Sequence, residues 1–208
     1  MGEYDSLRLK NTFGDNKLSR LVHGLVLLLR GTPLVLFGDE IELTAASEYE
    51  NTMQWNSADQ GCGFTSNSEV GVFFRGATNN CANNVEETAK KSSSLIQLYQ
   101  NLAPLRSEAA FQYGDVKTAS QGNENVISFV RELKDHDSFL VAANAGDQAV
   151  TINFKEKHNL ASSTAVVNVV YSINEDELAD LKLDDNVQTN SVQVAAGQLL
   201  VLRLKKLN

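Results

Sequence analysis

The chain has 208 residues, 42% of them apolar, and a formal net charge of -8. That length holds one large domain or two small ones, and that apolar share supplies a core, which sets aside a disordered chain. The acidic balance gives no field for phosphate backbones, and the longest basic run is Lys205-Lys206, so nucleic-acid binding is set aside too.

Read from Met1, the chain opens on Gly-Glu-Tyr-Asp with no apolar signal segment, and a product starting there is expected to be soluble and cytosolic. The longest apolar stretch, Leu25 to Leu29, is far short of a membrane span. Cys62 and Cys81 lie in one polar stretch and form neither a disulfide framework nor a metal motif. An oxidising compartment would let them pair; a reducing one would leave two thiols.

The first element is a mostly buried helix over Leu18 to Leu29, with Asp15 or Asn16 as its cap and Arg30-Gly31-Thr32-Pro33 as its end. Leu34-Val35-Leu36-Phe37 follows, a continuous apolar run that predicts a strand covered on both faces, as in a parallel sheet flanked by helices. It stops at Gly38, Asp39 and Glu40. Residues 44 to 84 are polar and long for a connection, with short hydrophobic pieces around Met53-Gln54-Trp55 and Val70 to Phe74. A helix is expected over Val85 to Leu105, opening near Asn84 with Glu86 and Glu87 in its first turn and burying Leu95, Leu98, Tyr99 and Leu102.

From Phe111 the texture becomes β. Strands are expected at Val126 to Glu132, Phe139 to Ala143, Ala149 to Phe154, Val166 to Tyr171, Val187 to Val194 and Leu199 to Leu204, with Glu175 to Asp185 a solvated loop. The expected boundary falls near Glu108, giving units 1–108 and 109–208.

Motif order adds to this reading. Arg30-Gly31-Thr32-Pro33, then Leu36-Phe37-Gly38-Asp39-Glu40-Ile41, then Thr52-Met53-Gln54-Trp55-Asn56 with Gly63-Phe64, and finally Asn84-Val85-Glu86 with Leu98-Tyr99 resemble the end of the catalytic barrel in the α-amylase superfamily (glycoside hydrolase family 13). The likeness is nearest to the α-glucosidase (maltase) group and the related transporter heavy-chain ectodomains. It implies the last segment of a (β/α)8 barrel over 1–108, then an antiparallel β-sandwich over 109–208 in which Tyr113-Gly114-Asp115 and Asn144-Ala145-Gly146 match.

Gly2-Glu3-Tyr4-Asp5-Ser6-Leu7-Arg8 falls where the family has Gly-Asn-His-Asp-x-x-Arg. By that resemblance Asp5 is the candidate catalytic residue, matching the auxiliary carboxylate that holds sugar hydroxyls. Tyr4, Arg8, Asp39 and Glu40 are the candidate substrate-binding residues. Tyr4 stands in place of a sugar-contacting His and Glu3 in place of an Asn. Glu42 replaces a Gly, and the Pro before Met53 is missing.

Retaining glycoside hydrolysis needs a nucleophile and an acid/base about 5 Å apart across the scissile bond. In the family both stand on earlier barrel strands, so Asp5 alone predicts an inactive chain. Asp39-Glu40 is better read as a structural hydrogen-bonding pair at a strand end than as two catalytic carboxylates, because adjacent side chains diverge in extended backbone. Trp55 reads either as a sugar-stacking ring or as a core anchor. His23 reads as a core residue, and neither His136 nor His158 makes a metal-ligand spacing. No metal and no cofactor are expected. The resemblance implies an α-glucoside oligosaccharide as substrate if the parent is an enzyme. The alternative is a noncatalytic heavy-chain ectodomain supporting an amino-acid transporter, with a membrane transporter light chain as partner. It also implies a parent that is extracellular or membrane-associated. A third reading, an independent β-sandwich module with half a barrel attached, would leave sticky sheet edges.

Overall fold

The computed structural model describes residues 8–13, 17–43, 52–58, 61–66, 81–173 and 181–206. It is a mixed α/β protein with two β-sheets. The chain forms two compact units, residues 1–19 with 33–99, and residues 20–32 with 100–208.

Helix α1 is Leu9–Phe13 and α2 is Lys17–Leu28. The stop of α2 falls where Gly31 and Pro33 place it in sequence; Gly31 holds φ 113°, a conformation that only glycine adopts at little cost. Leu21, His23 and Leu28 are buried on α2, as the apolar run and the core reading of His23 predict. The proposed caps Asp15 and Asn16 lie outside the described residues.

The expected strand over Leu34 to Phe37 is not formed. These residues belong to no sheet, and Leu34, Val35 and Phe37 are 64%, 43% and 57% exposed. A strand with two apolar faces needs flanking strands and covering layers. All the described strands lie between Asp115 and Leu204, so among the described residues no strand of this segment's own stretch supplies the neighbours.

A 3-10 turn over Asp39–Ile41 follows. Ile41, Leu43 and Ile96 then form a small core joined by Met53 and Val85. The single helix expected over Val85 to Leu105 is divided into α3 (Val85–Thr88), α4 (Leu95–Leu102) and a 3-10 turn (Ala103–Ser107). The physical reason is Ser92-Ser93-Ser94: serine oxygens compete for backbone donors and favour a new helix start. Ser94 Oγ accepts the Gln97 N–H at 3.3 Å. The start of α3 is where sequence puts it, with Asn84 Oδ1 accepting the Glu87 N–H at 2.9 Å.

In the second unit, α5 (Ala109–Gln112) leads into β1 (Asp115–Thr118), β2 (Val126–Glu132), β3 (Ser138–Asn144) and β4 (Val150–Ile152). Then come α6 (Phe154–Lys157), β5 (Thr164–Ser172), β6 (Asn186–Gln188), β7 (Val192–Val194) and β8 (Gln198–Leu204). The large sheet runs β1-β2-β3-β8-β5-β6, with every adjacent pair antiparallel. The small sheet is β4-β7. One face of the large sheet, with Val130, Leu140, Val167 and Leu202, shares a core with Ile152 and Val194 of the small one. The opposite face of β2 and β3 carries Phe129, Arg131, Phe139 and Val141, and Phe139 packs its ring 5.0 Å from Phe111 of α5.

Two strand expectations change. Ala149 to Phe154 ends at Ile152, because Asn153 Oδ1 accepts the Glu156 N–H at 3.0 Å and starts α6 while Phe154 stays in the core. Val187 to Val194 divides into β6 and β7, which pair with β5 and β4. The Thr189 N–H donates to Ser163 O at 2.9 Å and its hydroxyl to Ser162 O at 3.0 Å, which fixes the chain at the break between the sheets.

Candidate functional site

The candidate site is built around Gly38. Its φ of 83° reverses the extended chain, and a Cβ there would lie 2.7 Å from Leu43 Cδ2. The Leu43 N–H closes the turn on Gly38 O at 2.9 Å. The reversal turns Asp39 back along the segment it ends. Asp39 Oδ2 accepts the Leu36 N–H at 3.0 Å, and Oδ1 lies 3.4 Å from Arg8 Nη1. Arg8 Nη1 also donates to Phe37 O at 2.8 Å, and its guanidinium lies 5.0 Å from the centre of the Phe37 ring.

Arg8 and Asp39 are thus brought together, and both are buried. With one oxygen on a guanidinium and the other on a backbone N–H, Asp39 has its main acceptor directions occupied. For Asp39 this is a structural hydrogen-bonding role at the end of the segment. Glu40 stands next to it at intermediate exposure. Tyr4 and Asp5 lie outside the described residues.

Sequence reasoning placed Tyr99 on the buried face of a helix and in the barrel-end motif, without a role in the site. Burial, with the charges of Asp39 and then Glu40 adding to it, raises its phenol pKa well above the ordinary value of 10.0, so it is a neutral hydroxyl at any physiological pH. Its helical spacing from Leu95 and Leu102 marked burial and carried no sign of the acidic neighbours.

A second cluster lies at Met53-Gln54-Trp55. Met53 is the side chain that packs on the small core, whereas Trp55 is 50% exposed, so the anchoring role belongs to Met53. The Val85 and Glu86 N–H groups donate to Gln54 O and Trp55 O, each at 3.0 Å. Cys62 and Cys81 form a disulfide.

In the second unit, a polar cleft of about 380 Å³ is lined by residues that include Lys117, Glu132, His136, His158, Ser162 and Lys205. His158 Nε2 lies 3.5 Å from Ser128 Oγ, and burial lowers its pKa. Ser128 is buried, and its hydroxyl already accepts from Gln121 Nε2 at 2.5 Å, so the pair is not an exposed nucleophile and base. Among the described residues no group of three or more His, Cys, Asp or Glu could hold a metal ion. No described helix is long and apolar enough to cross a membrane.

No protein-family model matches the chain. Among curated proteins it is 25% identical over 174 residues to an alpha-glucosidase of Culex pipiens, covering 79% of this chain and 29% of that protein. It is 28% identical over 149 residues to the amino acid transporter heavy chain SLC3A2 of Oryctolagus cuniculus, covering 69% of this chain and 25% of that protein. The chain therefore spans less than a third of the length of either relative. Among solved structures, its fold is similar to that of the trehalulose synthase MutB from Pseudomonas mesoacidophila MX-45, with TM-score 0.70, 17% identity, and coverage of 98% of this chain and 42% of that one. An isomaltulose synthase from Erwinia rhapontici NX5 gives TM-score 0.69 at 16% identity, with the same coverage.

Proposed function

We propose that this chain is the C-terminal portion of an α-glucosidase (maltase)-like glycoside hydrolase of the α-amylase superfamily, whose parent acts on terminal α-1,4-linked glucose. The observation that carries the reading is the similarity to the mosquito alpha-glucosidase, sustained over 174 residues. The fold likeness to two sugar-converting synthases, over 98% of the chain, supports it.

In this reading residues 1–108 are the last segment of a (β/α)8 barrel and 109–208 a β-sandwich. The exposed apolar run Leu34 to Phe37 supports the first part, since its composition suits a sheet interior that this chain does not supply. The core shared between the two sheets supports the second. Asp5 is the auxiliary carboxylate, and Tyr4, Arg8, Asp39 and Glu40 belong to the substrate-binding side. Arg8 and Asp39 act there by fixing the turn at the end of the 34–37 segment. The nucleophile and the acid/base belong to earlier strands, so the chain alone does not hydrolyse glycosides. The Cys62–Cys81 disulfide supports an extracellular or membrane-associated parent, because such bonds persist in oxidising compartments.

A second reading, a noncatalytic heavy-chain ectodomain that supports an amino-acid transporter and pairs with its light chain, is favoured by the 28% identity to the rabbit heavy chain. Tyr4 and Glu3, in place of the sugar-pocket His and Asn, point the same way.

Glucose release from maltose and a nitrophenyl α-glucoside tests the proposal. The 208-residue chain is expected to stay at background. A longer protein carrying the upstream barrel strands is expected to turn over, and Asp5→Asn in it to abolish turnover. A silent longer protein that co-purifies with a transporter light chain would favour the second reading. Turnover by the short chain, lost in Asp5→Asn, would overturn its assignment as an inactive portion.

A further inference from the structure

Cys62 and Cys81 are buried, and their Cα atoms are 5.4 Å apart. Both hold left-handed backbone, with φ of 48° and 59°. Six non-glycine residues among those described have positive φ, and three of them, Asp135, Asn159 and Asp184, are of the types that tolerate it. Glu42 closes the 3-10 turn at Asp39–Ile41. The two half-cystines have neither the side chain nor a helix end to account for their conformation.

Cys62 and Gly63, at φ 48° and 75°, are the central residues of a turn closed by the Phe64 N–H on Gly61 O at 2.7 Å. Two successive positive φ values mark a type I′ turn, whose first central position favours Gly, Asn or Asp. The carbonyls of both cysteines are fixed in place by this geometry. Cys62 O accepts the N–H groups of Trp55 at 2.7 Å and Asn56 at 3.2 Å. Cys81 O accepts from Asn84 Nδ2 at 2.8 Å, and Asn84 is the cap of α3. A cysteine that relaxed to ordinary backbone would turn its carbonyl away from these donors.

We infer that the Cys62–Cys81 bond is a conformational latch. Closing it holds both residues in left-handed backbone, fastens the 61–66 turn to the residues ahead of α3, and sets the exposed rings of Trp55 and Phe64 on a rigid base. Opening it takes two electrons from an external dithiol, which becomes a disulfide, and leaves one thiol on each cysteine. Both residues then relax, and the bonds from Trp55 and Asn84 are lost.

Trp55 is the sole tryptophan of the chain, so its fluorescence reads this turn directly. The test compares the oxidised protein, the protein reduced with dithiothreitol until two thiols titrate, and two double variants, Cys62→Ser/Cys81→Ser and Cys62→Gly/Cys81→Gly. Tryptophan anisotropy and chymotryptic cleavage after Trp55 and Phe64 are the readouts. Reduction and the Ser pair are expected to lower anisotropy and speed cleavage about tenfold or more, as a locally opened segment would. The Gly pair, free to keep the left-handed backbone, is expected to retain more protection than the Ser pair. Reduced protein with unchanged anisotropy and cleavage would overturn the latch. A Gly pair as labile as the Ser pair would overturn its backbone mechanism.

Discussion

Arg8 Nη1 lies 3.4 Å from Asp39 Oδ1, in a pair whose side chains are only 10% and 7% exposed. The same nitrogen holds Phe37 O, and the other Asp39 oxygen holds the Leu36 N–H. One ion pair thus fixes the end of the apolar segment, at Leu36 and Phe37, just before the Gly38 turn. Removing one partner of a buried pair strands the other charge, which costs far more than an exposed pair is worth.

Asp39→Ala is therefore expected to destabilise the first unit by about 3 kcal/mol. Asp39→Asn, which keeps an oxygen for the Leu36 N–H, should cost less. Urea unfolding followed by Trp55 fluorescence reads this unit. An unchanged midpoint in Asp39→Ala would show that the pair does not hold the turn.

Arg131 is fully buried on β2 and caps the end of α5. Its Nη2 donates to Ala110 O at 2.9 Å and Phe111 O at 2.7 Å, and its guanidinium lies 5.3 Å from the Phe111 ring. Desolvation lowers its pKa, with Arg106 and Arg30 adding to the effect. Arg131→Ala removes the side-chain donor from Phe111 O, leaves Ala110 O its backbone bond from the Gly114 N–H, and is expected to cost about 3 kcal/mol. Arg131→Lys should fall between the two, because an ammonium cannot reproduce the planar fork. Thermal unfolding followed by far-ultraviolet circular dichroism checks both. A variant Arg131→Ala that melts with the parent would refute the capping role.

His158 stacks on Phe154 at 5.9 Å and shares its cleft with Lys117, Glu132 and Lys205. Burial lowers its pKa below the ordinary value of 6.5, so the unfolded chain binds the proton more readily. Its contribution to stability is then present above about pH 6.5 and lost as pH falls from there through the lower folded value. Urea midpoints of the β unit should decline over that window in the parent and less steeply in His158→Phe. Parallel profiles would show that another group sets the acid response.

Leu34, Val35 and Phe37 expose an apolar segment, which invites association with other chains. The 208-residue chain is expected to self-associate with rising concentration. Leu34→Glu, at a position 64% exposed, should weaken association with little effect on folding. Sedimentation velocity on both proteins decides it, and equal association would place the sticky surface elsewhere.

The β half was the most legible in sequence. Runs of β-prone residues and the turn signals between them placed β2 and β8 nearly residue for residue, because branched and aromatic side chains suit a pleated, buried strand wherever they cluster. Helix α2 and the Asn84 cap were legible for a similar reason, since their signals act within one turn. The candidate site was legible only as a resemblance. Asp39 could be named from the motif, yet its engagement by Arg8 depends on a contact across 31 residues, and no local pattern encodes that.

Tertiary structure decided the rest. It exposed Leu34 to Phe37, because hydrophobicity states a demand for burial and only neighbouring strands can meet it. It divided Val187 to Val194 between two sheets through the Thr189 bonds to Ser162 and Ser163, over 25 residues away in sequence. It also joined Cys62 to Cys81, a pairing that sequence left open, because a disulfide forms only where folding brings two Cα atoms within about 7 Å, and here they stand 5.4 Å apart.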